Sequence, residues 1–125
     1  MGRPSFKDGG TTRLYHICPR AFWREAAILG AYHGSPADKA SGFIHFSTAE
    51  TILESAELHC EKRDDLVLLI VKAERLGAAL RWEKARDGLL FPHLYGPLPI
   101  TAILSVLPVG VSEDGASFLF PTGWM

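Results

Sequence analysis

The 125-residue chain lacks any apolar stretch close to the roughly 20 residues that a membrane-spanning helix requires. Its longest continuous apolar run, Leu66 to Val71, has the length of a buried strand. Cysteine is scarce. Cys18 and Cys60 form neither a zinc pattern nor a disulfide framework, and both read as buried free thiols. Neither sign of charge is in excess: thirteen Lys and Arg stand against fourteen Asp and Glu, a formal net charge of −1. That balance gives duplex binding by phosphate neutralisation little support. The common glycine-rich phosphate fingerprints are missing, which argues against a doubly wound nucleotide fold. Met1 to Thr12 is polar and glycine-rich, without a secretory apolar segment. Residues 1–12 therefore read as a loose leader to a single domain at 13–125, with the cytoplasm as default location and no membrane partner.

What is present describes one globular α+β domain. Hydrophobic residues make up 47% and charged residues 22% of the chain, enough apolar matter for one core without staples. Leu14 to Cys18 reads as a strand. Pro19 suits a first helical position, Phe22, Ala26 and Leu29 recur at helical spacing, and Gly30 ends that helix. Ala31 to Ser41 reads as a loop long enough to fold over a ligand, and Gly42 to Ser47 as a second strand. Ser47 to Glu50 matches a capping box opening a second helix, with Ile52, Leu53, Ala56 and Cys60 as its apolar stripe. Leu66 to Lys72 is a central strand. Leu80 to Glu83, Ile100 to Val109 and Phe118 to Phe120 are further strands, and Asp87-Gly88 is a hairpin turn. Leu89 to Tyr95 is a strand or irregular backbone, since Pro92 argues against a central ladder position. Two helices early and several strands late suggest α+β rather than βαβ repeats.

Three segments set imidazoles among aromatics: Tyr15-His16-Ile17, Phe43-Ile44-His45-Phe46-Ser47-Thr48, and Phe91-Pro92-His93-Leu94-Tyr95. Alternation puts Ile44 and Phe46 on one strand face, and Phe43, His45 and Ser47 on the other. That second face suits stacking and hydrogen bonding to a planar ligand. A lone strand histidine is ordinarily a hydrogen-bonded core or edge residue, and a helix cap accounts for Ser47 by itself. Convergence of His16, His45 and His93 would instead make a site. Trp82 reads as packed inward with Leu80, leaving Arg81 and Glu83 opposite as a surface ion pair or with Glu83 as a catalytic carboxylate. No H-x-H or H-x-x-x-H spacing supports a three-histidine zinc site, so no metal is expected. His33 and His59 read as loop and helix-surface residues.

These strings, with Asp65-Leu66-Val67-Leu68-Leu69, Trp82-Glu83 and the continuation Gly96-Pro97-Leu98, resemble the bacterial family called domain of unknown function 952. The likeness runs in order from about Leu14 to about Pro121. It implies a fold like that of the ADP-ribosyltransferases, with a split, bent mixed sheet around an NAD cleft behind two N-terminal helices. By that resemblance His16 anchors a ribose of NAD or a related nucleotide. His45 and Ser47, with Phe43 and Thr48, line the reacting end, and His93 and Tyr95 close the pocket. His45 or His93 would act as a base, and Glu83 is the nearest counterpart of a late-strand glutamate. RNA 2′-phosphotransferases of the same fold place basic residues on a phosphate; Arg13, Arg20, Arg81, Lys84 and Arg86 are the candidates here, ungrouped by any spacing. The expected function is nucleotide binding with glycosyl or ADP-ribosyl transfer, or a non-catalytic binding module that kept the cleft.

Overall fold

The computed structural model describes residues 7–8 and 11–125, so most of the expected leader lies outside the described residues. The strands are β1 (Lys7–Asp8), β2 (Thr11–Pro19), β3 (Ala31–Tyr32), β4 (Ile44–His45), β5 (Leu66–Lys72), β6 (Leu80–Lys84), β7 (Leu90–Leu94), β8 (Leu98–Pro99), β9 (Ile103–Val111) and β10 (Phe118–Leu119). The α-helices are α1 (Arg20–Leu29), α2 (Pro36–Ser41) and α3 (Ile52–His59). The sheet is split, as expected: one sheet has the order β1-β2-β5-β9-β10, a second is β4-β7-β6, and β3 pairs with β8. Every pairing among the described residues is antiparallel, so the expected mixed sheet is not found. No helix among the described residues is long and apolar enough to cross a membrane.

The unbroken apolar run of β5 follows from burial on both faces. β5 sits between β2 and β9, and its alternate residues feed two different cores. Val67, Leu69 and Val71 join Leu14, Cys18, Ile44, Phe46, Leu94 and Leu98 on one side. Leu66, Leu68 and Ile70 join Tyr15, Ile52, Ala56 and Val109 on the other. A strand with solvent on one face would alternate; this one cannot.

Local signals decide the element ends, with several corrections. Gly30, at φ 90°, closes α1 as expected, but Pro19 is the residue before the helix rather than its first turn. Leu29 is exposed, and α1 packs through Phe22, Trp23 and Ala26 instead. The capping box expected at Ser47–Glu50 does not form. Ser47 is held in an extended bridge to Tyr15, with N–H to carbonyl distances of 2.8 Å both ways, and α3 starts only at Ile52. Leu53 is 50% exposed and drops out of the buried stripe. The box forms at Ser35–Asp38, inside the segment expected to be loop, and opens α2. Ile100–Ala102 is a 3₁₀ turn, and β9 begins after it. Cys60 is half-buried rather than buried.

Pro92 lies in β7, the middle strand of its sheet, contrary to the sequence expectation. Its carbonyl accepts from Phe46 N–H at 3.0 Å, on the β4 side. In an antiparallel ladder a residue's N and C=O point the same way, so the missing N–H faces where β4 has already ended at His45. A two-residue neighbour makes a central proline tolerable.

Leu69, wholly buried between β2 and β9, is expected to lose about 2–5 kcal/mol of stability on substitution by alanine. The same change at half-exposed Leu53 is expected to stay within about 0.5 kcal/mol. Urea unfolding of both variants checks this; equal losses would contradict the two-faced burial of β5.

Candidate functional site

Short β4 fixes the site through its register. His45 lies directly across from His93 on β7, so both side chains project from one face. Phe43 shares that face and stacks on the His93 ring at a centroid distance of 4.1 Å, and it tilts against His45 at 4.5 Å. The two imidazole centroids are 5.6 Å apart. Ile44 and Phe46 point the other way into the core, as alternation predicts.

Each imidazole has its own carboxylate. His45 Nδ1 is 2.6 Å from Asp38 Oδ1, and His93 Nδ1 is 2.7 Å from Glu83 Oε1. Both acids are held below their ordinary range. Burial opposes the Asp38 charge, but the His45 hydrogen bond, the nearby His16 ring and backbone N–H groups of Ser35 and His45 outweigh it, giving a pKa of about 2. For Glu83 the hydrogen bonds from His93 and Tyr95 lower it. An ionised carboxylate only accepts, so both Nδ1 atoms carry the proton and donate. Neither His45 Nε2 nor His93 Nε2 makes a hydrogen bond among the described residues.

Asp38 is placed by the α2 capping box. Ser35 N–H and Oγ–H reach Asp38 Oδ2 at 2.8 and 3.0 Å, and Asp38 N–H returns to Ser35 Oγ at 3.2 Å. The other oxygen takes both the backbone N–H and the ring of His45, at 3.1 and 2.6 Å. Gly34 makes this approach possible: a Cβ there would stand 2.7 Å from Asp38 Cβ, and its φ is +97°.

His16, on β2, is buried and fully engaged. Its Nδ1 donates to the His45 carbonyl at 2.6 Å, which leaves Nε2 to accept from the Tyr32 hydroxyl at 2.8 Å. Burial lowers its pKa, against the pull of the Asp38 charge and the bond to His45. Both nitrogens being taken, neither is open to a ribose hydroxyl. Burial also pushes the Cys18 thiol up to about 12 and raises that of Cys60, so neither is a reactive thiolate.

A cavity of about 580 Å³ opens beside the histidine pair. Its lining includes His16, His45, Ser47, His93 and Arg86. Of the residues expected at the site, Phe43, Glu83 and Tyr95 stand behind the imidazoles: Glu83 Oε1 accepts from His93 and from Tyr95 OH at 2.8 Å, and Arg81 covers the Tyr95 ring instead of pairing with Glu83. Ser47 Oγ donates to Ser55 Oγ at 3.0 Å. Thr48 is buried, bonded to Thr51, and does not line the cavity. Sequence reasoning missed Asp38, Ser35 and Ser55, and set aside His59, which lines the cavity. The Ser-x-x-Asp spacing before Gly42 was the available signal for Asp38. No group of three or more His, Cys, Asp or Glu suited to a metal occurs among the described residues.

Fold and site together define a small antiparallel α+β protein with a pair of carboxylate-held histidines at a cavity. The family model described as protein of unknown function, DUF952, matches residues 17–106, and the chain belongs to that family. It is similar to the crystal structure of CC0527 from Caulobacter crescentus, with 40% identity, a TM-score of 0.81, and coverage of 85% of this chain and 93% of that one. Similarity to the solution NMR structure of CC0527 is 41% identity and a TM-score of 0.72, over 82% and 89% of the two chains. No curated protein matches.

In the unfolded chain Asp38 takes up a proton near the ordinary 3.8, and in the fold only near 2. Above that window both states are charged and the fold keeps the full benefit; as pH falls through it, the unfolded chain protonates first and stability drops. Asp38→Asn is expected to cost about 2 kcal/mol at neutral pH and to remove this acid-limb slope. Because the His16 pKa is lowered, stability is also expected to begin falling below the ordinary 6.5, a decline that His16→Gln abolishes. Urea titrations from pH 7 to pH 2 check both; wild-type slopes in the variants would contradict the assignments.

Proposed function

We propose that the cavity binds NAD or a related nucleotide and that His45 or His93 acts there as a base, in glycosyl or ADP-ribosyl transfer. One observation carries this reading: two adjacent imidazoles, each fixed through Nδ1 by a carboxylate, keep Nε2 unbonded at a cavity of about 580 Å³. That volume lies within the ~300–1,000 Å³ range of small-molecule sites. One imidazole takes the proton of an acceptor hydroxyl as its oxygen bonds to the ribose carbon, while nicotinamide leaves as a neutral ring with the electron pair of the broken C–N bond; the other imidazole holds the acceptor by a hydrogen bond. The His–carboxylate bonds fix ring orientation. Glu83 serves this chemistry as the orienting carboxylate of His93. His16 serves it as a positioning residue, through the His45 carbonyl, rather than as the ribose anchor its strand position suggested.

Departure of nicotinamide from its ribose passes through a cation-like state that needs nearby negative charge and exclusion of water. Asp38 has both oxygens bonded, and one Glu83 oxygen takes both His93 and Tyr95. This commitment of both acids supports a second reading, a nucleotide-binding module without turnover.

Nicotinamide release from NAD, followed chromatographically, is expected in the wild type and is expected to fall about 10²–10⁴-fold in His45→Asn and in His93→Asn. NAD is expected to raise the melting temperature of all three proteins. A thermal shift without release selects the binding module. Neither release nor shift, with NAD, AMP or ADP-ribose, overturns the nucleotide reading.

A further inference from the structure

Among the described residues, Arg86 is the one lysine or arginine that lines the cavity. The remaining cations singled out in the sequence, Arg13, Arg20, Arg81 and Lys84, do not line it. Arg86 follows β6 in a tight turn where Asp87 adopts φ 58°, and the turn aims its side chain back across the Phe91 ring, with Cζ 4.9 Å from the centroid. Stacking on an aromatic face holds a guanidinium plane without using its N–H groups.

The donors of Arg86 are incompletely used. Nη2 donates to Ser55 Oγ at 3.3 Å and makes a long contact, 3.5 Å, to the exposed Glu54 carboxylate. Nη1 donates to nothing among the described residues, and Nε is buried with no acceptor. A buried, unsatisfied guanidinium N–H beside a cavity is an anomaly for a purely structural arginine. Ser55 Oγ accepts from both Arg86 Nη2 and Ser47 Oγ, which leaves the Ser55 hydroxyl proton uncommitted among the described residues, next to the guanidinium in the cavity lining. Asp38, the acid that lines the same cavity, has its oxygens turned to Ser35 and His45, so its charge is already answered.

We infer that Arg86, with the Ser55 hydroxyl, forms an anion subsite of the cavity that takes a phosphate group of the ligand. Phosphate oxygens supply the acceptor that Nη1 lacks and a stronger one than Glu54 for Nη2, and the end-on fork of the guanidinium meets such oxygens in pairs. Glu54, exposed and at the limit of hydrogen-bond distance, competes weakly. The site thereby distinguishes phosphorylated ligands from their neutral counterparts, and the histidine pair lines the same cavity as the bound phosphate. The inference rests on the nucleotide reading only for what the phosphate is attached to.

Calorimetric titration of the full chain with AMP, adenosine and inorganic phosphate, repeated for Arg86→Gln and Arg86→Lys, tests it. The wild type is expected to bind AMP about tenfold or more tightly than adenosine. Arg86→Gln is expected to bind the two alike, with Arg86→Lys between, because lysine keeps the charge and loses the fork. Inorganic phosphate alone is expected to raise the melting temperature of the wild type and not of Arg86→Gln; unliganded melting curves confirm that each variant folds. If adenosine and AMP both fail to bind while phosphate still stabilises only the wild type, the nucleotide reading fails and the anion subsite stands. Equal wild-type affinity for AMP and adenosine, an AMP preference that survives Arg86→Gln, or no phosphate effect on the wild type overturns the subsite.

Discussion

The Asp38 carboxylate is the constraint on which the site depends. It is buried and charged, and it draws donors from two separate stretches of chain: the N–H and hydroxyl of Ser35, and the N–H and ring of His45. A buried carboxylate costs several kcal/mol unless its lone pairs are met, so its neighbours are arranged to meet them. The same carboxylate that caps α2 therefore pins β4, and pinning β4 sets His45 opposite His93. Fold and chemistry share one interaction.

The second dyad is built differently. Glu83 lies on β6 and His93 on β7, with Glu83 across from Phe91, so their bond is a diagonal between neighbouring strands, and Tyr95 adds a second donor to the same oxygen. One acid is buried beneath a capping turn and the other stands at a half-exposed sheet face, yet both leave a ring with Nδ1 occupied and Nε2 open. Phe43 stacks on the second ring and restricts its rotation. Two histidines on adjoining strands are thus oriented by two independent means.

Much of this was legible in the sequence, for identifiable reasons. The unbroken apolar run of β5 announced a strand buried on both faces, and the alternation in Phe43 to Ser47 put Ile44 and Phe46 in the core, although Phe46 also borders the cavity and Phe43 does not. The pairing of Trp82 with Leu80 against Arg81 and Glu83 followed from the same period of two. Three features were hidden. Two Ser-x-x-acid strings compete, at Ser35 and Ser47, and only tertiary pairing of Ser47 with Tyr15 decides that the first becomes the capping box. The tolerance of Pro92 depends on where the neighbouring strand stops, a long-range property. His16 looked like a ligand contact because sequence shows an imidazole on a strand but not the carbonyl and hydroxyl that occupy it.

The most direct test of the carboxylate-held histidine pair is the side-chain nitrogen spectrum of His45 and His93, read through long-range ¹H–¹⁵N correlations in the full chain. Donation from Nδ1 to Asp38 and Glu83 predicts that both neutral rings carry their proton on Nδ1 and leave Nε2 bare, the reverse of the tautomer favoured by an unconstrained imidazole. Protons on Nε2 in either ring, or a rapid average of the two tautomers, would contradict it.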